Sequence, residues 1–550
     1  MHPNANPRNT LSMKHGEDLQ AQSNPTLDRA PRGPRVMTVR RRPWRQTRRL
    51  YLRALGLTLL CAVGSYWTQI IALNGVEGLA PSVEFVSAVQ DAAKARGWSV
   101  WEQFLAAPSV FALMPSDEML HVLAATATLG CALLIFSRLA TLGLLLVLLG
   151  WGSIVAVGGV FTGYQWDVFN LEVCFASLFV AATNPSTNEQ DHQRSDQLGP
   201  WLLRLVLFKF MVLQGLVKWR SGDAAWDNLT ALDYHFWTQP IAHSASWWAA
   251  QIPQSIDKCL VAGMYVIELI APFGIFGPRR IRHVCASAII TLMVAIVATG
   301  NYGTFNLLTI TLCLALFDDD ILARFSLWRA PYSIESWVKP SANSIWSASR
   351  SFARWTVFIA LVLCNLQAIN SRAKLEVPVP KLVIDAASIA RKLSLCAPYG
   401  AFAHMTKDRP EIEIEASIDG THWRPYRFRY KTLDVRQSHR FAATHMPRLD
   451  WQLWFASLRR HCRNVRWYPT LLKSLLNAQP EVLALFAEAP FGNKQPRFVR
   501  STLWDYSFTN SDERNETGHV WSRSRVDTFC PTVTMREGRL QIAEDLGQAR

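Results

Sequence analysis

Residues 139–159 read LATLGLLLVLLGWGSIVAVGG, a run without one charged side chain. About 20 such residues, rising 1.5 Å each, cross the hydrocarbon core of a bilayer as a helix that satisfies its own backbone polar groups. Working outward, comparable segments fall at about 50–73, 118–136, 167–184, 200–218, 257–276, 282–299, 302–317 and 354–370. Segments 167–184 and 302–317 are short or polar, so the pattern predicts about 7–9 spans. The fold class follows: a mainly α transmembrane helical bundle.

The chain has 550 residues, half of them hydrophobic, and a formal charge of +15. Its 22 tryptophans suit membrane interfaces, where an indole buries its ring and hydrates its N–H. About ten arginines fall between Arg29 and Arg53, among them Arg40, Arg41, Arg42, Arg45, Arg48 and Arg49, just before the first span. A run of this kind can grip nucleic-acid phosphates. Its place before a span points instead to a cytoplasmic topology signal lying on anionic headgroups, so no nucleic-acid partner is expected. Residues 1–49 form an expected disordered, basic, cytoplasmic N-terminus, polar and Asn/Pro-containing over its first thirty positions. The apolar run begins too late for a cleaved signal peptide.

Charge asymmetry gives an orientation. With the N-terminus inside, Arg138, the cluster Arg279, Arg280 and Arg282, and the connector 318–353 with Arg324, Arg329, Lys339 and Arg350 fall on the cytoplasmic side. The turns 160–166 and 300–302 carry no Lys or Arg. An odd number of spans then puts everything after Ser371 outside.

After residue 370 the texture changes. Glu411-Ile412-Glu413-Ile414-Glu415 alternates as a half-buried strand does, Asp419-Gly420 reads as a hairpin turn, and Tyr426–Tyr430 alternates again. Helices are expected around Asp450–Arg460 and Pro480–Ala487, with a strand near Phe498–Phe508. This makes 371–535 an extracytoplasmic, strand-rich α+β soluble domain behind the bundle of 50–370, and 536–550 a disordered tail.

Seven of ten cysteines lie in apolar segments. Cys396, Cys462 and Cys530 stand in the C-terminal region, where at most one internal disulfide can form among them. No CxxC, HExxH, GxSxG or phosphate loop occurs, so no metal or cofactor is expected. A transporter would show mid-membrane polar breaks and an internal repeat; here the breaks cluster toward one face.

The polar breaks carry the information. They include Gln165-Trp166-Asp167, Lys209, Lys218-Trp219-Arg220-Ser221-Gly222-Asp223, Asp233-Tyr234-His235, Asn301-Tyr302-Gly303, Asp318-Asp319-Asp320 and Arg448-Leu449-Asp450-Trp451-Gln452. As a colinear set between about Tyr51 and Val533, these motifs resemble the lipase maturation factor family. That resemblance implies an endoplasmic-reticulum-type membrane protein that helps secreted lipases fold and assemble, and implies no enzymatic activity. Partners are then exported client proteins, with lipases as candidates, and the lipid bilayer. The membrane is the endoplasmic reticulum in a eukaryote and the plasma membrane in a bacterium.

Candidate functional residues on the outer face are Gln165, Trp166, Asp167, Lys218, Arg220, Asp233, Tyr234, His235, Asn301, Tyr302, Arg448, Asp450 and Trp451. Trp237, Trp247 and Trp248 read either as an interfacial anchor or as an apolar surface for a client. Glu172, Lys209 and Glu268 are charges inside spans, which cost several kcal/mol unless paired, and they read as a buried ion pair or a triad with one lysine between two glutamates. Lys218, at a span end, reads either as a snorkelling lysine or as a base. The second option rests on a short likeness of Lys218…Trp226 to the vitamin K-dependent carboxylase, the enzymatic alternative. Asp450 reads as a helix cap. Trp423 and Trp504 read as sheet-packing aromatics, and Asn228 and Asn515 as sequons.

Overall fold

The computed structural model describes residues 44–136, 139–181, 198–324, 344–442 and 444–543. Helix α1 (Arg45–Trp67) begins five residues before the expected span and takes in Arg45, Arg48 and Arg49. Residues 45–49 of the expected disordered N-terminus are therefore helical, and residues 1–43 lie outside the described set, as do Arg138, Arg329 and Lys339. Arg48 has a job at this helix start: its guanidinium donates to the last carbonyls of α4 (Gln165–Ala181), Val180 O at 2.9 Å and Ala181 O at 3.0 Å. A cation at a helix C-terminus satisfies orphan acceptors there.

Among the described residues six helices are long and apolar enough to cross a membrane: α1, α2 (Asp117–Ile135), α3 (Ala140–Val157), α5 (Leu198–Trp219), α7 (Arg279–Thr299) and α9 (Ser344–Ala373). The other three expected spans are shorter or broken, each still running through the bundle. They are α4, α8 (Phe305–Leu314) and α6 (Gln254–Tyr265). Helix α6 passes into a π-turn, Val266–Ile270, before a last turn at Ala271–Gly274. Pro272 explains the break, since its nitrogen cannot donate to the carbonyl four residues earlier.

Helices α2 and α3 pack antiparallel through small residues. A methyl group at Gly130 would meet the Gly143 carbonyl, and one at Gly150 the Leu123 carbonyl. Close backbone approach is how membrane helices gain contact where lipid supplies no hydrophobic drive.

The two ends of the bundle differ. At one end stand Arg48, Arg282 and the Arg279–Asp318 ion pair, and Asp319 there accepts from the Thr47 amide at 2.8 Å. At the other end α1 meets the C-terminal region, through Ser65 and Gln69.

The C-terminal region forms an antiparallel sheet in the order β2-β1-β5-β6-β7. Its strands are β1 (Pro410–Ser417), β2 (Arg424–Pro425), β5 (Phe498–Phe508), β6 (Trp521–Arg536) and β7 (Arg539–Ile542). In β1 the alternation puts Ile412, Ile414 and Ala416 in the core, but Glu411 is buried too. The strand expected over 426–430 is only two residues long, β3 (Arg427–Phe428), paired with β4 (Phe486–Glu488). That β4 also replaces the end of the helix expected over 480–487, which stops at Leu483. The expected disordered tail at 536–550 is corrected in its first half, because β7 pairs Val533↔Ile542 through Arg536↔Arg539. Cys462 and Cys530 form the disulfide, leaving Cys396 as a buried thiol. Among the helices with no counterpart in the pattern are α10 (Lys381–Lys392) and α12 (Tyr468–Leu476).

Candidate functional site

Of the polar breaks quoted above, Gln165-Trp166-Asp167, His235, Asn301-Tyr302 and the stretch from Arg448 meet in a seam between the helix ends and the C-terminal region, whereas Asp318-Asp319-Asp320 lies at the opposite end of the bundle. Its centre is Arg448, at the start of α11 (Arg448–Ser457) and fully buried. Its guanidinium bonds both Asp167 oxygens, at 2.6 and 2.8 Å, and the Phe161 carbonyl at 2.9 Å. It lies over the rings of Tyr66, Tyr164 and Trp166, within 6 Å of each centroid. Aromatic faces favour a cation held this way. Burial penalises the Arg448 charge, but Asp167 more than offsets it and holds the pKa above the usual guanidinium value.

Around this pair the seam is stitched by side chains to backbone. Gln69 accepts from the Arg448 amide and donates to the Met446 carbonyl, and Ser65 accepts from the Met446 amide. Asn301 donates to the Ile241 and Arg440 carbonyls and accepts from the Ala442 amide. Trp166 stacks on Tyr164, and Trp451 stands edge-on to Trp166 and Tyr302. The His235 Nε2 lies 3.1 Å from the Tyr302 hydroxyl, and burial pushes its pKa down to about 4.

A second strand of the seam is residues 396–405, which enter the bundle. Gly400 exchanges two bonds with Gln165, at 3.0 and 3.1 Å, and the Ala401 amide donates to Gln214. Below it the Tyr399 hydroxyl and the Ala397 amide donate to Glu172. Glu172 also holds Lys209 at 2.5 Å, with the Cys396 Sγ 3.7 Å from the same ammonium.

Of the ion pair or triad expected among Glu172, Lys209 and Glu268, the structure forms the Glu172–Lys209 pair and not the triad. Glu268, carried by the π-turn, takes Lys218 instead, with both carboxylate oxygens 2.7 Å from Nζ. Lys218 is buried, so it neither snorkels nor stands free, and Trp226 covers it at 5.6 Å. Arg220 binds the Ala373 carbonyl at the end of α9. Asp233 accepts from Gln254 at an exposed position, and Tyr234 lies under Lys407; neither reaches Arg448.

Asp450 does not cap its helix, whose N-cap position is Pro447. Its carboxylate accepts from the Lys431 amide at 3.0 Å in a buried network, and burial pushes its pKa up to about 6. In that network Glu411 pairs with both Arg409 and Lys431. Arg409 reaches across to the Trp237, Gln239 and Pro240 carbonyls of the helix connection and to His439. Burial, reinforced by Arg409 and Lys431, pushes His439 well below its usual pKa.

The tryptophan surface is mostly used up. Trp247 is buried and donates to the Thr509 carbonyl, Trp237 donates to the Asp233 carbonyl, and only Trp248 stays exposed. Trp504 and Trp423 pack under arginines of the sheet, Arg523 and Arg500. Sequence reading missed Ser65, Gln69, Gln214, Tyr399, Gly400, Arg409 and Lys431. Their partners are backbone groups or distant chain, for which local sequence carries no mark. A charged residue on each side of β1's apolar positions was the one available hint.

Among the described residues no group of His, Cys, Asp and Glu could hold a metal. Lys218 is held by both oxygens of its partner, and the comparisons give no support to the carboxylase-like alternative. The human protein named lipase maturation factor 2 is 28% identical over 607 residues, covering 90% of this chain and 84% of its own length. The human lipase maturation factor 1 is 28% identical over 538 residues, covering 95% of this chain and 94% of its own length. The Xenopus tropicalis lipase maturation factor 2 is 29% identical, covering 89% of this chain and 82% of its own length. No solved structure matches the chain. The model of the lipase maturation factor C-terminal domain matches residues 395–531. That of the lipase maturation factor transmembrane domain matches 46–324, just over half the chain, and the protein therefore belongs to the lipase maturation factor family.

Proposed function

We propose that this protein is a membrane-bound factor for the folding or assembly of exported proteins, with secreted lipases as candidate clients. The N-terminus is cytoplasmic and the sheet domain extracytoplasmic, lumenal in a eukaryote. One observation carries the reading: the seam residues are spent on fastening one domain to another. Asp167, Asn301 and Gln165 are bonded across the seam to protein partners, as are both terminal nitrogens of Arg448, which suits a rigid holder better than a reaction centre.

Two features support the sidedness. Arg48, Arg279 and Arg282 lie at the bundle end away from the sheet domain, as positive charge retained inside would. The Cys462–Cys530 disulfide suits an oxidising compartment on the other side. The names of the relatives support the client class.

The test is secreted lipase activity per unit of secreted lipase protein in a knockout. It is rescued with the intact chain or with a chain ending after Asn370, and the abundance of each is measured alongside. Specific activity should fall in the knockout and return only with the intact chain. A knockout that leaves lipase untouched refutes the client.

A further inference from the structure

Two short helices at the sheet-domain end of the bundle present apolar faces outward. The first, Val100–Ala106, lies in the connection between α1 and α2. A capping box fixes its start: the Ser99 hydroxyl accepts from the Glu102 amide, and the Glu102 carboxylate accepts from the Ser99 amide at 2.8 Å. The outward face of this well-formed helix is Val100, Trp101 and Phe104, which are 87%, 54% and 43% exposed. Trp101 and Phe104 stack on each other, with ring centroids 5.6 Å apart. Leu105 turns the other way and is buried.

The second helix is α10, which has three distinct faces. Ala387 and Ala390 pack inward in a cluster with Cys364 and Ala368 of α9. Leu382 and Ile389, seven residues and so about two turns apart, are 80% and 38% exposed. Lys381, Asp385 and Lys392 occupy the next arc, all exposed, and Arg391 and the exposed Ile384 lie on its far flank beside Ala387. A helix with an outward apolar stripe beside a basic arc is built to lie in a membrane interface rather than in water.

Position names the occupant. Helix α10 follows the end of the spanning helix α9 by a short linker, and that end is fixed at the bundle's rim. Arg220 holds the Ala373 carbonyl there, and Arg372 donates to the Tyr399 and Gly400 carbonyls. The two short helices are neighbours in contact with each other. The apolar faces thus continue the lipid-facing surface of the spans at the level where hydrocarbon gives way to headgroups.

We propose that Val100–Ala106 and Lys381–Lys392 form a lipid-binding collar. Trp101, Phe104, Leu382 and Ile389 seat at the acyl boundary, and Lys381, Arg391 and Lys392 engage anionic headgroups. The collar tethers the sheet domain to the membrane surface, whichever client that domain serves.

The test uses the full-length protein in nanodiscs of mixed zwitterionic and anionic phospholipid. A photoreactive benzoylphenylalanine replaces Trp101 or Leu382, and, as control, Glu537 in the exposed β6–β7 turn. Irradiation followed by mass spectrometry should give lipid adducts at 101 and 382 at least about tenfold above those at 537. Adducts no higher than at 537, or adducts to protein in place of lipid, overturn the proposal. With Lys381→Gln, Arg391→Gln and Lys392→Gln combined, the adducts at 382 should lose their enrichment in anionic lipid. An unchanged lipid ratio overturns the headgroup assignment.

Discussion

Arg448 and Asp167 stand 281 positions apart and form a two-pronged ion pair, both partners buried, which locks α11 of the sheet domain to the start of α4. Removing one member leaves the other charged, buried and unpaired, which costs about 3–5 kcal/mol. Arg448→Met and Asp167→Asn should each lower the melting temperature of the detergent-solubilised protein and expose the 395–409 linker to protease. The double variant should lose less than the sum of the two. Strict additivity would show that the pair does not act as a unit.

Lys218 and Glu268 make a second separable pair. Lys218→Ala should reduce abundance and melting temperature, again by about 3–5 kcal/mol, while activity per folded molecule is retained. Glu268→Ala should behave alike, and pairing Lys218→Met with Glu268→Met should recover part of the loss. A Lys218→Ala protein of native stability that had lost activity would reopen a chemical role.

Asp450 gives a pH signature. Its carboxyl titrates near pH 6 in the folded chain because of burial, against about 4 when unfolded. Between those values the folded state holds a proton that the unfolded state has released, so stability falls as pH rises from about 4 to about 6 and then levels. The difference is roughly 3 kcal/mol at 1.36 kcal/mol per pKa unit. Denaturation midpoints of Asp450→Asn and the native chain should diverge progressively over that window, with the variant flatter. Parallel curves would mean that the carboxyl is not shifted.

The Cys462–Cys530 bridge closes a loop of sequence separation 68 and ties the turn after α11 to β6. Loop-closure entropy for that length makes it worth about 4 kcal/mol. Cys462→Ser with Cys530→Ser should lower the unfolding temperature of the sheet domain. In denaturant, maleimide should label both positions of the unmutated chain only after reduction, since both are buried in the fold; labelling without reductant would show that the bridge does not form.

Some of this architecture was written plainly in the chain. The run 139–159 could only be a buried or lipid-facing helix, since nothing in it can hydrate. The alternation at 411–415 gave a strand because period two puts Ile412 and Ile414 on one face. The same local reasoning failed for 426–430, where Arg427 and Phe428 find only a two-residue partner in β4. It failed again at β7, because a polar segment becomes a strand only when β6 offers it an edge.

The candidate residues divide the same way. Sequence alone determined that charges at 172, 209 and 268 needed partners, because an isolated charge in a span is costly, and it left Lys218 at a span end as a snorkelling lysine or a base. It could not choose between a triad and two pairs. That choice belongs to tertiary structure: a π-turn before Pro272 carries Glu268 to Lys218, and Tyr399 enters the bundle to share Glu172 with Lys209. Hydropathy is a property of each stretch of chain and can be read there. Which buried charge meets which is a property of how distant stretches pack, and only the folded chain decides it.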